Sequence, residues 1–352
     1  MNNFQKILNS TNADAVLIFS EIACNYLSGF NTTDGFVAVS KDKSALYTDG
    51  RYIEAATKSN TNCDVVLRTD NQKDIISFLN EIGAHTVAVE TAIPYSLVLK
   101  LKNMLKDFEV SADENIDKCI SKMRQVKTQD EIDKLRLAQE MTEKAFDYVL
   151  GFIKPGVTDI DIAAELEYQM RKAGANGLSF ETICVTGTDT SLPHGVPHGR
   201  KVQNGDFVTM DFGALYQSLH ADMTRTVAVG NITDEQKKVY NTVLSAQLNC
   251  INNIKAGMTG KEADLLSRSV IEQAGYGEYF THSTGHSVGF EIHESPSLVS
   301  KNEQPLQEGN CVTVEPGIYL PSKFGVRIED MVLITKDGCK NFTKADKALI
   351  IL

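Results

Sequence analysis

The sequence has no apolar run approaching the ~20 residues that a membrane-spanning helix needs. Its candidates, such as Ala348–Leu352, have the length of a core strand. It does not open on a basic segment followed by an apolar one, since Met1-Asn2-Asn3-Phe4-Gln5-Lys6 lacks both. A cytoplasmic protein with no membrane partner is therefore expected. Cysteines are present but unpatterned: the seven, at 24, 63, 119, 184, 250, 311 and 339, are odd in number, scattered, and never spaced Cys-x-x-Cys. That excludes a disulfide framework and a thiolate zinc site. Positive charge is also scarce. Thirty-five Lys and Arg against 46 Asp and Glu leave a net charge of −11, the wrong sign for gripping phosphates, so no nucleic-acid partner is expected. A divalent cation suits that balance. His-Glu-x-x-His, Gly-x-Ser-x-Gly, a Walker loop and a Gly-x-Gly-x-x-Gly fingerprint after a strand are all missing.

What is present is an ordinary globular composition, with 42% hydrophobic and 23% charged residues over 352 positions. That length predicts two domains and a substantial core. In the first 120 residues, short β-rich runs at 15–19, 36–39, 44–47 and 87–89 alternate with helical stretches at 74–82 and 96–107. The polar turn Ser40-Lys41-Asp42-Lys43 predicts a hairpin between the second and third runs. Further on, Ile132, Leu135, Ala138, Met141, Ala145, Val149 and Phe152 form one apolar stripe, so 127–152 reads as a helix opened by a Thr128/Glu131 capping box. A second helix follows from Thr158 to Lys172, and a similar pair spans 235–254 and 259–274. The pairing hints at an internal duplication. The domain boundary falls near 121–127, giving domains 1–124 and 125–352.

Four acidic residues in the second half stand in otherwise apolar strands. If 207–211 and 222–227 form a hairpin turning at Tyr216-Gln217, Asp211 and Asp222 face each other. If 312–315 and 326–329 form one around Pro321-Ser322-Lys323, Glu315 faces Glu329. Like charges directly opposite destabilise a sheet, so two such pairs call for a compensating cation. Hard oxygen ligands favour Mn-, Mg- or Ca-like ions, and one imidazole shifts the preference toward Mn, Fe, Co or Zn. Five of seven histidines lie in two segments rich in Gly and Pro, 193–199 and 282–294. Sequence alone leaves open which of them touches metal. Cys184 and Cys311, in strand-like runs, read as buried structural thiols.

Asp211-Phe-Gly, Asp222-Met-Thr-Arg, Thr284-Gly-His286-Ser-Val-Gly, His293-Glu-Ser-Pro, Glu315-Pro-Gly-Ile-Tyr and Arg327-Ile-Glu329-Asp occur in that order. This set resembles the pita-bread metallopeptidases, among them methionine aminopeptidase, aminopeptidase P and prolidase. Asn25-Tyr-Leu-Ser-Gly29-Phe and Tyr47-Thr-Asp49-Gly-Arg51-Tyr resemble the creatinase/prolidase N-terminal domain. The resemblance implies an α/β (α+β) protein: a small creatinase-like α/β domain followed by a pita-bread catalytic domain.

It also implies two divalent ions, manganese for preference with Co, Zn or Fe as alternatives. Asp211 would bind one and His286 the other, with Asp222, Glu315 and Glu329 shared. His194, His282, His293 and Arg327 would meet the substrate, a peptide with proline in second position. His194, His293 and Glu315 would be catalytic, Glu315 shuttling a proton, with Thr224 and Arg327 orienting carboxylates. A homodimer is implied as well. Three departures stand out: Ser287 where many members have Gly, Leu219 where they have Tyr, and Ser297 where they have Arg. The last tilts the expectation toward Xaa-Pro aminopeptidase over Xaa-Pro dipeptidase, because a dipeptidase must hold a free carboxylate.

Overall fold

The computed structural model describes residues 2–352, and its contacts divide the chain into two units, Met1–Arg124 and Gln125–Leu352. The first is built on six strands: β1 (Ala15–Ile18), β2 (Gly35–Val39), β3 (Ser44–Thr48), β4 (Asp64–Leu67), β5 (Thr86–Val89) and β6 (Glu109–Ala112), in sheet order β4-β3-β2-β1-β5-β6. All four residues of β1 are buried, as a central strand covered on both faces requires. Its alternate side chains feed two cores. Leu17 joins Phe36, Ala38 and Val89 on one face, while Val16 and Ile18 join Val37, Val39 and Ala88 on the other.

The β2–β3 hairpin turns at Ser40–Lys43, where the Ser40 N–H donates to the Lys43 carbonyl, as the polar tetrapeptide predicts. The helices read from sequence occupy Asn71–Glu81 and Tyr95–Met104. The edge strands β4 and β6 escaped the sequence reading because their short runs are half-exposed and carry polar residues.

In the second unit, the helices Gln129–Leu150, Asp159–Ala173, Asp234–Asn253 and Gly260–Gln273 each begin with a complete capping box, formed by Thr128, Thr158, Thr233 and Thr259. The first ends at Leu150 with Gly151 as its cap, two residues short of the stripe's last member, Phe152. Apolar faces of the first two pack with Met210, Phe212, Met223 and Val227.

The strands are β7 (Gly177–Leu178), β8 (Ile183–Thr186), β9 (Phe207–Phe212), β10 (Ala214–Tyr216), β11 (Leu219–His220), β12 (Met223–Ala228), β13 (Gly285–Ser287), β14 (Glu294–Leu298), β15 (Cys311–Val314), β16 (Gly317–Leu320), β17 (Phe324–Arg327), β18 (Asp330–Ile334) and β19 (Cys339–Asn341). They form sheets ordered β11-β10-β7, β12-β9-β8, β14-β13-β15-β18-β19 and β16-β17. All seven cysteines are free, with Cys184 and Cys311 buried in β8 and β15. Among the described residues no helix is long and apolar enough to cross a membrane.

One register differs from the sequence expectation. Asp211 pairs with Thr224, not Asp222, because the hairpin turns one residue later, at Gln217 and Ser218, which adopt φ of 48° and 65°. A two-residue turn with both central residues left-handed usually announces itself by Asn-Gly, and Gln-Ser gives no such signal. Asp211 and Asp222 are therefore diagonal neighbours on one face. The second register is as expected: Val314 pairs with Asp330 and Gly317 with Arg327, a single alignment that sets Glu315 opposite Glu329.

Candidate metal centre

Three pieces of backbone converge on the acidic residues. Glu315 and Glu329 lie where the β15–β18 ladder has ended and the β16–β17 ladder has not begun, so their amides are released from cross-strand pairing. The Glu315 N–H donates to the Thr284 carbonyl at 2.8 Å, and the Glu329 N–H to the Thr224 carbonyl at 3.1 Å. One bond brings in the segment leading to β13 and His286. The other brings in β12, just after Asp222. Gly285, directly before His286, makes the first approach possible: a Cβ there would sit 2.0 Å from the Thr313 carbonyl oxygen.

Asp222, His286 and Glu329 offer ligand atoms that all lie within 4.8 Å of one another. His286 Nε2 is 3.6 Å from Asp222 Oδ2 and 3.4 Å from Glu315 Oε1, separations suited to an ion shared between them. Its Nδ1 is 3.1 Å from the Ser287 carbonyl, which can only accept. The proton therefore sits on Nδ1, and Nε2 faces the carboxylates with its lone pair bare. Glu329 is oriented by the Thr224 hydroxyl at 2.7 Å, and Glu315 by that of Thr313 at 3.3 Å. Asp211 Oδ2 accepts from Arg327 at 2.6 Å, while its Oδ1 is buried with no hydrogen-bond partner.

The electrostatics are those of a cation site. Burial raises Asp222 well above the usual carboxylate range, with Glu329, Asp211 and Glu315 adding to it. Burial does the same to Glu329, reinforced by Glu315 and Asp211. Glu315 is pushed up to about 8, again chiefly by burial. His286 goes the other way, down to about 4, through burial and the nearby His293. A cluster of unwilling anions, a neutral imidazole and an orphaned carboxylate oxygen fit a bound divalent metal.

Around this centre the remaining predicted residues are placed unevenly. The His293 ring lies 4.3 Å from that of His286, and its side chain is exposed. His194 is exposed in the loop after Gly187–Ser191 and close enough for its charge to bear on His282. His198, in the same segment, pairs instead with Asp189 at 2.9 Å. Arg327 is spent on protein groups: Asp211, the Thr224 hydroxyl, the Pro193 carbonyl and the Tyr319 hydroxyl.

Sequence reasoning missed Tyr319. Its hydroxyl accepts from Arg327 at 2.8 Å and meets His282 Nε2 at 2.9 Å, and His282 Nδ1 faces the Ser283 carbonyl. The donor order Arg327 to Tyr319 to His282 follows. The signal was available: Gly317 and Tyr319 follow Glu315 at two-residue steps and share a face of β16, and Gly317 lets the phenol lie back over it, where a Cβ would meet the hydroxyl at 2.5 Å.

Of the three departures, Ser287 is accommodated by donating to the Pro296 carbonyl at 2.8 Å, Leu219 is buried in β11, and Ser297 pairs with His286.

Residues 133–336 match the metallopeptidase family M24, and residues 1–126 match the Creatinase/Prolidase N-terminal domain. The chain belongs to metallopeptidase family M24. Its fold is that of the family's pita-bread prolidases: the structure of an Xaa-Pro dipeptidase from Bacillus anthracis is 40% identical, with 99% of each chain covered and a TM-score of 0.95. An X-Pro aminopeptidase from Thermotoga maritima is 36% identical with a TM-score of 0.92, covering 99% of this chain and 100% of that one. An Xaa-Pro dipeptidase from Pyrococcus horikoshii is 37% identical over 98% of this chain and 97% of that protein. This M24 chain is thus a metallopeptidase, with a group of residues able to hold metal at its centre.

Proposed function

We propose that this protein is an Xaa-Pro dipeptidase using two divalent ions, held by Asp211, Asp222, His286, Glu315 and Glu329. The observation that carries the reading is the buried acidic cluster around a bare imidazole nitrogen, with one carboxylate oxygen left without a partner. Manganese is the ion we favour, given a ligand set of hard oxygens and one nitrogen. Such ions, when bound, lower the pKa of a bound water and polarise the scissile carbonyl.

The chain's own residues do the rest. Glu315 takes the proton of the attacking water and returns it to the proline nitrogen, which has no N–H of its own until it is protonated as it leaves. His293 can donate to the carbonyl oxygen as negative charge develops there, and the exposed His194 flanks the substrate. Arg327 holds Asp211 in place rather than binding substrate, its donors being largely taken.

The Ser297 departure favours the aminopeptidase alternative. Dipeptidase relatives matched over nearly their whole length weigh more, although an aminopeptidase relative is similar as well. The deciding experiment is hydrolysis of Gly-Pro and Gly-Pro-Gly-Gly by metal-stripped protein reloaded with Mn²⁺. Cleavage of the dipeptide with little of the tetrapeptide supports the reading. Cleavage of the tetrapeptide alone makes the protein an Xaa-Pro aminopeptidase, and cleavage of neither overturns both.

A further inference from the structure

Strand β12 has two working faces. Thr224 and Thr226 point toward Glu329 and the β17 backbone, their hydroxyls donating to Glu329 Oε2 and the Arg327 carbonyl. Met223 and Val227 point into the apolar core behind. Between them on that rear face stands Arg225, 1% exposed. An arginine in such a place is expensive unless every donor is met.

All five N–H groups are met. Nη1 donates to the Glu329 carbonyl at 2.6 Å and the Thr224 carbonyl at 3.0 Å. Nη2 donates to Asp330 Oδ1 and the Ala345 carbonyl, both at 2.8 Å, and Nε to the Asp346 carbonyl at 3.1 Å. The second oxygen of Asp330 accepts from Asn341 Nδ2 and from Lys347 Nζ. Segment 344–352 is pinned from other sides too. Glu143 accepts from the amides of Lys344 and Ala345, Tyr240 donates to the Lys347 carbonyl, and Ile350 and Leu352 bond across to Ala228.

We infer that Arg225 is a positioning residue for the metal centre, fixing the backbone that aims Glu329 and Thr224, and that segment 344–352 is the brace it works against. The inference rests on the proposed role of Glu329 as a metal ligand. A guanidinium that bonds a ligand's own carbonyl, the carbonyl of the residue orienting that ligand, the carboxylate next to that ligand, and two carbonyls of a remote segment transmits the position of one to the other. Core filling alone would not need the Asp330 and Lys347 charges, which cost desolvation.

The test is calorimetric Mn²⁺ binding to metal-stripped wild type, Arg225→Lys, Lys347→Met and, as a packing control, Ile162→Val, with thermal melts and Gly-Pro kinetics on each. Arg225→Lys keeps a charge beside Asp330 but cannot span the two carbonyls. It should weaken metal binding by about 10–100-fold, the usual consequence of losing a partner behind a ligand, with KM for Gly-Pro unchanged at saturating metal. Lys347→Met leaves Arg225 in place and should lose roughly tenfold in the same direction.

Ile162→Val, at a buried core site, should lower the melting temperature and leave metal affinity as in wild type. Wild-type affinity in Arg225→Lys and Lys347→Met overturns the inference, as does a loss no greater than that of Ile162→Val. If Arg225→Lys does not fold, Lys347→Met decides. Unaltered protein that binds no metal sinks this inference together with the proposed function. Unaltered protein that binds metal and cleaves Gly-Pro, with variants that bind equally well, sinks this inference alone.

Discussion

Glu315 and Glu329 stand opposite each other in the one gap of a continuous register, with Val314 paired to Asp330 on one side and Gly317 to Arg327 on the other. Two carboxylates in that relation repel, and burial makes the repulsion worse. The gap lets both amides turn to neighbouring segments, so the acids are held in place although they repel each other. Glu329→Gln keeps the shape and removes the charge. It should reduce metal affinity by more than ~100-fold, beyond what loss of an orienting partner costs, and abolish turnover. Metal content by elemental analysis and a Gly-Pro assay check it, and an active variant would exclude Glu329 as a ligand.

Without metal the same acids set a pH dependence. Glu315, pushed up to about 8 by burial, stays protonated in the folded chain where an unfolded glutamate has ionised. Stability from such a group is present at low pH and is lost as pH rises toward 8. Asp222 and Glu329 act in the same direction. His282 and His286, both lowered to about 4 by burial, act oppositely, since the unfolded chain binds their protons up to its own pKa of ~6.5. Above that the histidines fall silent. Metal-free protein should therefore lose stability between pH ~6.5 and 8, by about 1.4 kcal/mol per pH unit for each proton still held. Urea melts at pH 6.5, 7.2 and 8 measure it, and stability that rises over this window contradicts the prediction.

A buried ion pair flanks His293. Lys127 Nζ lies 2.6 Å from Glu294 Oε2, with the two side chains 2% and 4% exposed. Glu294 Oε1 also accepts the Glu291 N–H at 3.2 Å, so the pair closes the loop that carries His293. Lys127→Met should destabilise the protein by about 3–5 kcal/mol, because the carboxylate stays buried without its ammonium. Lys127→Met/Glu294→Leu should recover part of that. A double-mutant cycle by chemical denaturation gives the coupling, and independent, additive losses would show that the pair does not act as one.

Gly285 is the narrowest point of the architecture. Alanine there would place Cβ 2.0 Å from the Thr313 carbonyl oxygen, and backbone cannot swing aside as a side chain can. Gly285→Ala should shift β13 against β15, carry His286 away from Asp222 and Glu315, and reduce metal affinity about tenfold or more if the chain folds. Native affinity in a folded variant would mean the strand yields without moving His286.

Much of this was readable beforehand. The stripe from Ile132 to Val149 and the Thr128/Glu131 box specify a helix locally, and β1 announces itself by four consecutive apolar residues. Opposition of Glu315 and Glu329 followed from a correctly placed turn. Asp211 and Asp222 came out one step off because positive φ at Gln217 and Ser218 is a property of the folded hairpin that side-chain identity does not declare. Tyr319, Arg225 and the Lys127–Glu294 pair depend on contacts across 8 to 167 positions of chain, which periodicity cannot reach.

The most direct test of the central claim is a Mn²⁺ titration of metal-stripped protein, following bound metal and Gly-Pro hydrolysis together. Turnover that is absent at the start, rises with bound metal and saturates near two ions per chain is the predicted result. Full turnover in chelator, with no metal bound, would contradict it.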